Sequence, residues 1–397
     1  MKYKNKAVVL GTNYYIGLCV VRSLGKKGVH VIAVNHNAKK NLYGKSRYVA
    51  EDLIGPYYEE NPEGFLQFLI NIAKDEEYKP VLLATVDPYV EFIERYFDEL
   101  KEYYLFPAEK KGLLTDLMDK SKLTEYTEKW GVRTPEIVDS KIENLYEIIN
   151  EEIKYPCIVK PKDSANFVMK YRHKVFLVNN EEELREKVEM CHRDGYEVFI
   201  QRIIPGPETN CYSFDAYLNK DSKVTHYMST YKIRQWPNNF GASTYAGQKW
   251  IPEVYDIGKP FLENIGFKGF AEIEWKRDVN TGVIYLIEVN VRFVNFTEMF
   301  VRLGMDTPFI TYLDMIGEDI GTIAINYDTG VRWRYFYEDI PSMRGYINSG
   351  QMTKAQIKED NRHKKIPSTW ALDDPWPGIK FAFSVVFRKI GRILTGK

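Results

Sequence analysis

The segment Tyr285-Leu-Ile-Glu-Val-Asn-Val-Arg-Phe293 decides the fold of this chain, because apolar and polar residues alternate along it. Successive side chains of a β-strand point to opposite faces, so Leu286, Glu288, Asn290 and Arg292 are predicted to share one face. A strand rises roughly 3.3 Å per residue, which spaces neighbouring side chains on that face by about 7 Å. The segment therefore predicts a strand that presents a carboxylate, an amide and a guanidinium on one surface.

A second strand is predicted shortly before the first, in Phe270–Trp275, where Glu272 and Glu274 share a face. The turn signal Asn280-Thr-Gly282 lies between the two segments, so they are predicted to form a hairpin. Mg²⁺ prefers such oxygen ligands and usually bridges carboxylates to phosphates, and Arg292 would neutralise charge on a transferring phosphoryl group. The alternation alone leaves open an edge hairpin whose polar face is simply solvated.

The length and composition indicate a globular protein of two or three domains. The chain has 397 residues, of which 44% are hydrophobic, 28% charged and 14% aromatic. Lys plus Arg equals Asp plus Glu at 55 each, so no overall field points to nucleic acid. No apolar run reaches the length of a membrane span, and no Cys-x-x-Cys pair indicates zinc or a disulfide framework. We therefore expect a cytoplasmic protein; the four cysteines are Cys19, Cys157, Cys191 and Cys211.

The first part of the chain predicts a doubly wound α/β domain. Residues 6–34 give a strand, a tight loop, a helix and a second strand. The loop contains Gly11 and Gly17 but not the middle glycine of the dinucleotide-binding fingerprint, and this absence disfavours NAD binding. Asp87 follows a predicted strand, where it is either a ligand-binding residue or a helix cap. A single helix is predicted over residues 113–130, with Asp119-Lys120 inside it.

Taken in order, these features resemble the ATP-grasp superfamily. Its most specific motifs match Glu274-x-Lys276 and then Glu288-x-Asn290-x-Arg292. The resemblance implies a pre-ATP-grasp doubly wound α/β domain followed by an ATP-grasp fold with a small lid and a central antiparallel sheet. The boundaries that we predict are 1–112 for the first domain, 113–155 for linker helices, 156–205 for the lid, 206–330 for the central sheet and 331–397 for a C-terminal extension.

The resemblance also implies ATP and Mg²⁺ as cofactors, with Mn²⁺ as a substitute. Glu274, Glu288 and Asn290 would be the metal ligands, and Arg292 would hold phosphoryl or acyl-phosphate oxygens. Lys120 and Lys160 match lysines that contact the ATP phosphates, although a surface lysine is the alternative for each. Four residues, Gln201, Arg202, Ile203 and Ile204, lie where the family binds adenine, and Glu208 lies where a carboxylate binds ribose.

One departure from the family lies in the loop after Lys160. It reads Lys-Asp-Ser-Ala-Asn-Phe and has no glycine, whereas many relatives use glycines there to cradle phosphate. Lys162 and Ser164 are the side chains that we expect to substitute.

The stretch Tyr231-Lys-Ile-Arg-Gln-Trp-Pro-Asn-Asn-Phe-Gly-Ala-Ser-Thr244 resembles carboxylate–amine ligases related to D-aspartate ligase. The resemblance implies phosphoryl transfer from ATP to a carboxylate and then attack by an amine, which forms an amide and releases phosphate and ADP. Partners would be an amino acid and an amine or carboxylate acceptor from the cell envelope. Arg234 would bind the acyl phosphate or the amino-acid carboxylate, unless it is an exposed loop residue.

The C-terminal extension departs from the family pattern. We predict an aromatic strand over 331–337, a loop over 341–350 and a helix over 378–397. Apolar residues are interleaved in that helix with five basic residues, Lys380, Arg388, Lys389, Arg392 and Lys397. Such a helix is typical of peripheral contact with a membrane surface, here the inner face of the membrane. A helix packed on the body of the protein is the equal alternative.

Two other functions remain open at this point. One is another ATP-grasp activity, such as a carboxylase-type or thiol ligase. The other is a catalytically inactive nucleotide-binding scaffold at the membrane. The sequence does not name the amino acid, its chirality, the acceptor or the oligomeric state.

Overall fold

The computed structural model of the chain describes residues 3–38, 43–162 and 164–395. Side chains are described over the same ranges except at positions 164, 165, 168 and 388–395. The described residues form three β-sheets, of four, eight and four strands.

The first domain is a parallel sheet in the order β3-β2-β1-β4. Strands β1 and β2 are buried along their whole length, which explains why they are continuous apolar runs. The predicted α/β character is confirmed. Its elements are β1 (Ala7–Leu10), α1 (Tyr15–Lys26), β2 (Val31–Asn35), a 3₁₀ turn (Tyr43–Lys45), β3 (Glu51–Ile54), α2 (Pro62–Ala73), β4 (Val81–Ala84), α3 (Asp87–Arg95) and α4 (Phe97–Leu100).

The linker contains two helices where we predicted one, and that prediction is wrong. Helix α5 (Leu113–Met118) stops at Asp119, whose backbone is extended, and α6 (Lys120–Lys129) begins directly after it. The Asp119 carboxylate accepts hydrogen bonds from the amides of Ser121 and Lys122 and so caps the second helix. Lys120 is therefore the first residue of a helix and not part of its middle.

The lid is an antiparallel sheet in the order β5-β8-β6-β7. Strand β5 comes from residues that we assigned to the linker, so this sheet begins earlier in the chain than position 156. The glycine-free segment after Lys162 forms a helix in the structure. The elements are β5 (Ile137–Asp139), α7 (Leu145–Ile148), a π-helical turn (Ile149–Ile153), β6 (Cys157–Pro161), α8 (Ser164–Tyr171), β7 (Phe176–Val178), α9 (Glu181–Arg193) and β8 (Val198–Arg202).

The central sheet follows the order β13-β12-β9-β10-β11-β15-β16, with β14 paired to β10. The C-terminal extension thus adds strands to this sheet. The remaining elements are a 3₁₀ turn (Glu208–Asn210), β9 (Cys211–Leu218), β10 (Val224–Trp236), β11 (Ala242–Gln248), α10 (Pro252–Asn264), β12 (Gly269–Arg277), β13 (Ile284–Asn290), α11 (Thr297–Arg302), α12 (Thr307–Met315), β14 (Ile323–Ile325), β15 (Arg332–Arg334), α13 (Phe336–Asn348), α14 (Lys354–Asp360), β16 (Lys365–Pro367) and α15 (Trp376–Thr395).

The prediction of a loop over 341–350 is wrong, because helix α13 (Phe336–Asn348) runs through Pro341. Proline lacks one backbone donor, which normally destabilises a helix interior. Here the helix buries Asp339, Ser342 and Tyr346 on one side, and Asp339 is held by a buried ion pair with Arg234. Tertiary contacts therefore outweigh the local preference.

The extension is also fastened to the first domain. Asp374 accepts hydrogen bonds from Arg22 Nε at 2.9 Å and from Ser46 Oγ at 2.6 Å, and all three residues are buried. No helix among the described residues is both long enough and apolar enough to cross a membrane.

Candidate active site

The predicted hairpin exists, because β12 and β13 pair antiparallel. Two details of the prediction are wrong. Strand β13 ends at Asn290 rather than Phe293, and Leu286 does not share the polar face. Leu286 is completely buried beside Trp275 in the apolar core.

A β-bulge explains why Leu286 turns inward. Glu274 lies opposite Glu288, but the next residue, Trp275, lies opposite Leu286, so Ile287 has no cross-strand partner in this pairing. Because of this extra residue, the alternation of side chains shifts by one position at the bulge, so Glu288 faces the cleft whereas Leu286 faces the core. The carbonyl of Ile287 accepts a hydrogen bond from Lys120 Nζ. The bulge thus positions a predicted phosphate-binding lysine beside the hairpin.

The hairpin brings the predicted metal ligands together. Glu274 faces Glu288 in one cross-strand pair, and Glu272 faces Asn290 in the next. Opposite side chains on an antiparallel pair have Cβ atoms about 4.5–5.5 Å apart. Asn290 Nδ2 donates to Glu272 Oε2 at 2.9 Å, so its amide is oriented with Oδ1 as the remaining acceptor. Glu272 is only 2% exposed, which argues against a merely solvated outer face.

This donor set fits a cation whose shell is completed by another molecule. Glu274 and Glu288 are partly exposed, and together with Asn290 they offer oxygen atoms to the same cleft. Across residues 3–38, 43–162 and 164–395, no group of three or more His, Cys, Asp or Glu residues is arranged to hold a metal ion. Two carboxylates and one amide match the way Mg²⁺ is held, with few protein ligands plus phosphates and water.

Several lysines surround Glu288. Lys120 Nζ lies 3.9 Å from Glu288 Oε2, and the charges of Lys160, Lys174 and Lys232 also act on this carboxylate. Burial alone would raise the pKa of Glu288, but these positive charges lower it well below its usual range. Burial and the neighbouring Lys160 charge lower the pKa of Lys120 to about 7. Burial also lowers the pKa of Lys160.

Two of these lysines were not predicted. Lys232 Nζ lies 3.4 Å from Glu274 Oε2. Burial lowers the pKa of Lys232, but the nearby Glu274 charge outweighs it, and the pKa is raised. Lys174 is exposed and precedes β7. A cleft with four ammonium groups around two carboxylates can hold a polyphosphate and a divalent cation together.

The floor of the cleft holds another residue that we did not predict, Asp215. It is fully buried on β9 opposite Glu272, and its Oδ2 accepts a hydrogen bond from Ser213 Oγ at 2.8 Å. Burial raises the pKa of Asp215 well above its usual range, so the neutral acid is favoured there. The alternation of Ser213 and Asp215 with apolar neighbours along β9 was the signal for this polar face.

Arg292 links the cleft to the first domain. Its Nε and Nη2 donate to the carboxylate of Asp87 at 2.5 and 3.0 Å. Asp87 is the first residue of α3 and follows the carboxyl end of β4. The cap position belongs to Val86, so the helix-cap alternative is wrong, and ligand binding by Asp87 stays a prediction. The predicted phosphoryl-binding arginine is oriented by Asp87, a residue of the other domain.

Comparisons with known proteins agree with this geometry. A D-aspartate ligase of Enterococcus faecium (strain Aus0004) is 26% identical over 251 residues, which are 60% of this chain and 59% of that protein. Biotin carboxylase from Campylobacter jejuni, solved as a β-γ-ATP complex, has a TM-score of 0.65 at 16% identity, over 82% of this chain and 74% of that one. N5-carboxyaminoimidazole synthetase from Staphylococcus aureus has a TM-score of 0.61 at 15% identity, over 80% and 79%.

This chain has the ATP-grasp fold of these solved enzymes. A scan against models of protein families finds no match. The chain spans less than two thirds of the length of the D-aspartate ligase to which it is similar.

The segment that would bind the nucleotide in an ATP-grasp protein lies at the end of β8. Gln201 and Arg202 close that strand, and Ile203 and the buried Ile204 follow. The amide of Arg202 already donates to the carbonyl of Glu136 at 2.9 Å, so a base would meet the main-chain groups that come after it.

Glu208, the predicted ribose ligand, lies in the next turn of the chain. It is buried and accepts a hydrogen bond from Gln235 Nε2 at 2.6 Å. Burial raises the pKa of Glu208. This carboxylate is thus held in one orientation by the neighbouring strand β10.

Arg234, the other predicted substrate contact, is bound by carboxylates of the C-terminal extension. Its side chain is 0% exposed, and it donates to Asp339 at 2.7 and 2.8 Å and to Asp360 at 2.9 Å. It also stacks over the ring of Tyr245, at 4.3 Å. The alternative of an exposed loop residue is wrong, and the predicted substrate contact would require these donors to change partners.

The lid gives no support for phosphate binding by Lys162. This side chain forms ion pairs with Asp139 at 3.1 Å and with Glu197 at 3.4 Å. The Ser164 side chain, the other expected substitute for glycine, lies outside the described residues.

Proposed function

We propose that this protein is an ATP-dependent, ADP-forming carboxylate–amine ligase that makes an amide bond through an acyl phosphate. The observation that carries the proposal is the facing pair Glu274 and Glu288, with Asn290 beside it, inside a group of lysines. That arrangement is suited to a nucleoside triphosphate and a divalent cation, and the similarity to D-aspartate ligase supports the reaction class.

The residues divide the work of phosphoryl transfer, which depends mainly on positioning and charge neutralisation. Lys120 and Lys160 would bind the phosphates, while Glu274, Glu288 and Asn290 would hold Mg²⁺, or Mn²⁺ in its place. The cation, when bound, would neutralise charge on the phosphate oxygens.

Arg292 is suited to bind the substrate carboxylate and its acyl phosphate, because Asp87 fixes the plane of its guanidinium. The acyl phosphate hydrolyses in water, so closure of the lid over it would protect the intermediate. The amine would then attack the acyl carbon and expel phosphate.

The nucleotide would lie between the lid and the central sheet. We assign the adenine contacts to Gln201 and to the main chain from Arg202 through Ile203 and Ile204, and the ribose contact to Glu208. One substrate would be an amino acid, as the name D-aspartate ligase indicates for that relative. The other would be an amine or carboxylate acceptor, which we expect to be a cell-envelope precursor.

The test is ADP release by the purified protein with ATP and Mg²⁺, against a panel of D- and L-amino acids with and without envelope-precursor acceptors. Release that depends on one substrate pair would support the ligase and identify that pair. ATP binding without release for any pair would favour the inactive scaffold, and no ATP binding would contradict the proposal.

A variant tests the metal site separately. Glu288→Ala should abolish ADP release and leave the fold intact, because Glu288 faces the cleft and is partly exposed. Glu318→Ala removes an exposed carboxylate outside the cleft and should leave turnover unchanged. Unchanged turnover in Glu288→Ala would contradict the assignment of this residue.

A further inference from the structure

The C-terminal helix α15 carries an apolar surface that the rest of the protein does not cover. Trp376, Phe383, Val386 and Phe387 are 53%, 59%, 51% and 68% exposed, and we call these four residues the docking face. Phe383, Val386 and Phe387 lie seven, ten and eleven positions after Trp376, and at this helical spacing the four residues share one side of the helix. Isolated apolar residues on a surface are ordinary, whereas a contiguous aromatic patch marks an interaction site.

The helix cannot turn this face inward, because its opposite side is already packed. Phe381 lies in the core cluster, with its ring centroid 5.9 Å from that of Tyr43, 6.2 Å from Tyr335 and 4.7 Å from Tyr337. Gly378 lies against the ring of Trp370 so closely that a Cβ there would be 3.0 Å away. One side of the segment is thus packed on the protein, as in the second alternative, and the other side is exposed. Membrane contact stays a prediction.

Charge identifies the kind of partner. Residues 376–397 include five basic residues and no acidic one, in a chain whose net charge is zero. The acidic pair just before the helix is already neutralised. Asp373 is bound by Lys26 at 2.9 Å, and Asp374 is bound by Arg22 at 2.9 Å. Four of the five basic residues lie from position 388 onward, where the side chains are outside the described residues.

We propose that the docking face inserts into the surface of an anionic lipid bilayer. An exposed row of Trp and Phe beside a run of Lys and Arg is the pattern of helices that lie in the plane of a membrane. Lys380, whose ammonium group lies 5.3 Å from the Trp376 ring, would reach the headgroups from this edge. A second copy of the chain fits the face less well, because it would bring the same positive charge against itself.

The packed side of α15, opposite the docking face, is connected to the cleft through aromatic rings. Phe381 contacts Tyr335, whose ring stacks on Tyr15 at 4.4 Å, and Tyr15 lies within electrostatic reach of Arg292. A docked protein would therefore have helix α15, which is about 10–12 Å thick, between the lipid surface and this side of the cleft. The inference rests on the proposed function for its purpose, because docking would hold the enzyme on the same surface as an acceptor carried by a membrane lipid.

The test is flotation of the full-length protein, without nucleotide, with vesicles of equal parts phosphatidylglycerol and phosphatidylcholine. We expect binding to these vesicles and at least tenfold weaker binding both to pure phosphatidylcholine and in 1 M salt, which screens charge. The double variant Phe383→Ser/Phe387→Ser should lose at least tenfold in affinity. Tyr327→Ser, which removes an aromatic residue of similar exposure elsewhere, should bind as the wild type does.

Three results would overturn the proposal. They are no vesicle binding by the wild type, equal binding by the double variant, and a wild-type dimer in solution that the double variant abolishes. The last result would assign the face to a second copy of the chain. Because the vesicle test uses no ATP, its outcome is independent of whether the ligase assay succeeds, so failure of one proposal is distinguishable from failure of the other.

Discussion

Arg234 offers the sharpest test of how the central sheet and the extension cooperate. We expect Arg234→Met to lower the free energy of unfolding by about 3 kcal/mol. Removing one partner of a buried ion pair costs about 3–5 kcal/mol, because the other charge stays buried without it. The lower end applies here, since Asp339 keeps Arg334 at 2.6 Å and Asp360 keeps Arg332 at 3.0 Å.

Urea unfolding followed by tryptophan fluorescence measures this change, and steady-state kinetics on the same protein measures turnover. Arg362→Met is the control, because it removes a surface pair with Glu359 in which both side chains are exposed. Such pairs contribute about 0–1 kcal/mol. If Arg234→Met is as stable as the wild type while kcat/KM falls a hundredfold, Arg234 is a substrate ligand and our structural interpretation is refuted.

Three further predictions concern the cleft. Glu272→Gln should weaken Mn²⁺ binding by about 10–100-fold, because Glu272 orients the Asn290 amide. Electron paramagnetic resonance measures the Mn²⁺ affinity, and an unchanged affinity would contradict this role of Glu272. ATP binding at pH 8 should take up a proton, because free Lys120 has a pKa of about 7 and bound phosphate favours its charged form. Calorimetry in buffers of different ionisation heat measures the proton uptake. The uptake should vanish at pH 5.5 and in the Lys120→Arg variant. Equal uptake in that variant would show that Lys120 is not the group that takes up the proton. Asp119→Ala should cost about 1 kcal/mol of stability and raise the Kd for ATP, because the cap that starts the Lys120 helix is lost; an unchanged Kd would show that the cap does not position Lys120.

The alternation in the hairpin was enough to predict which acidic residues face the cleft. A strand with one buried face constrains every second residue, so Glu288, Asn290 and Arg292 were placed together correctly. The bulge at Ile287 could not be read, because it depends on how the opposite strand is paired and not on local pattern. Leu286 was misplaced for that reason.

Other misses have the same origin in long-range contacts. Lys232 and Asp215 reach the cleft only because β9 lies between β10 and β12 in the sheet. The helix through Pro341 depends on the buried charge of Arg234 on another strand. The split at Asp119 is different, since Asp-Lys-Ser is a recognisable helix start that the apolar pattern on both sides concealed.

The contact between Arg22 and Asp374 joins residues 352 positions apart, and this separation has a consequence for synthesis on the ribosome. At about 5–20 residues per second, Asp374 is made roughly 20–70 s after Arg22. Throughout that interval Arg22 lacks the Asp374 carboxylate with which it is buried in the folded protein. The packing around Arg22 is therefore completed only when residue 374 has been made, and a nascent protein stalled before that residue should expose a surface that chaperones recognise.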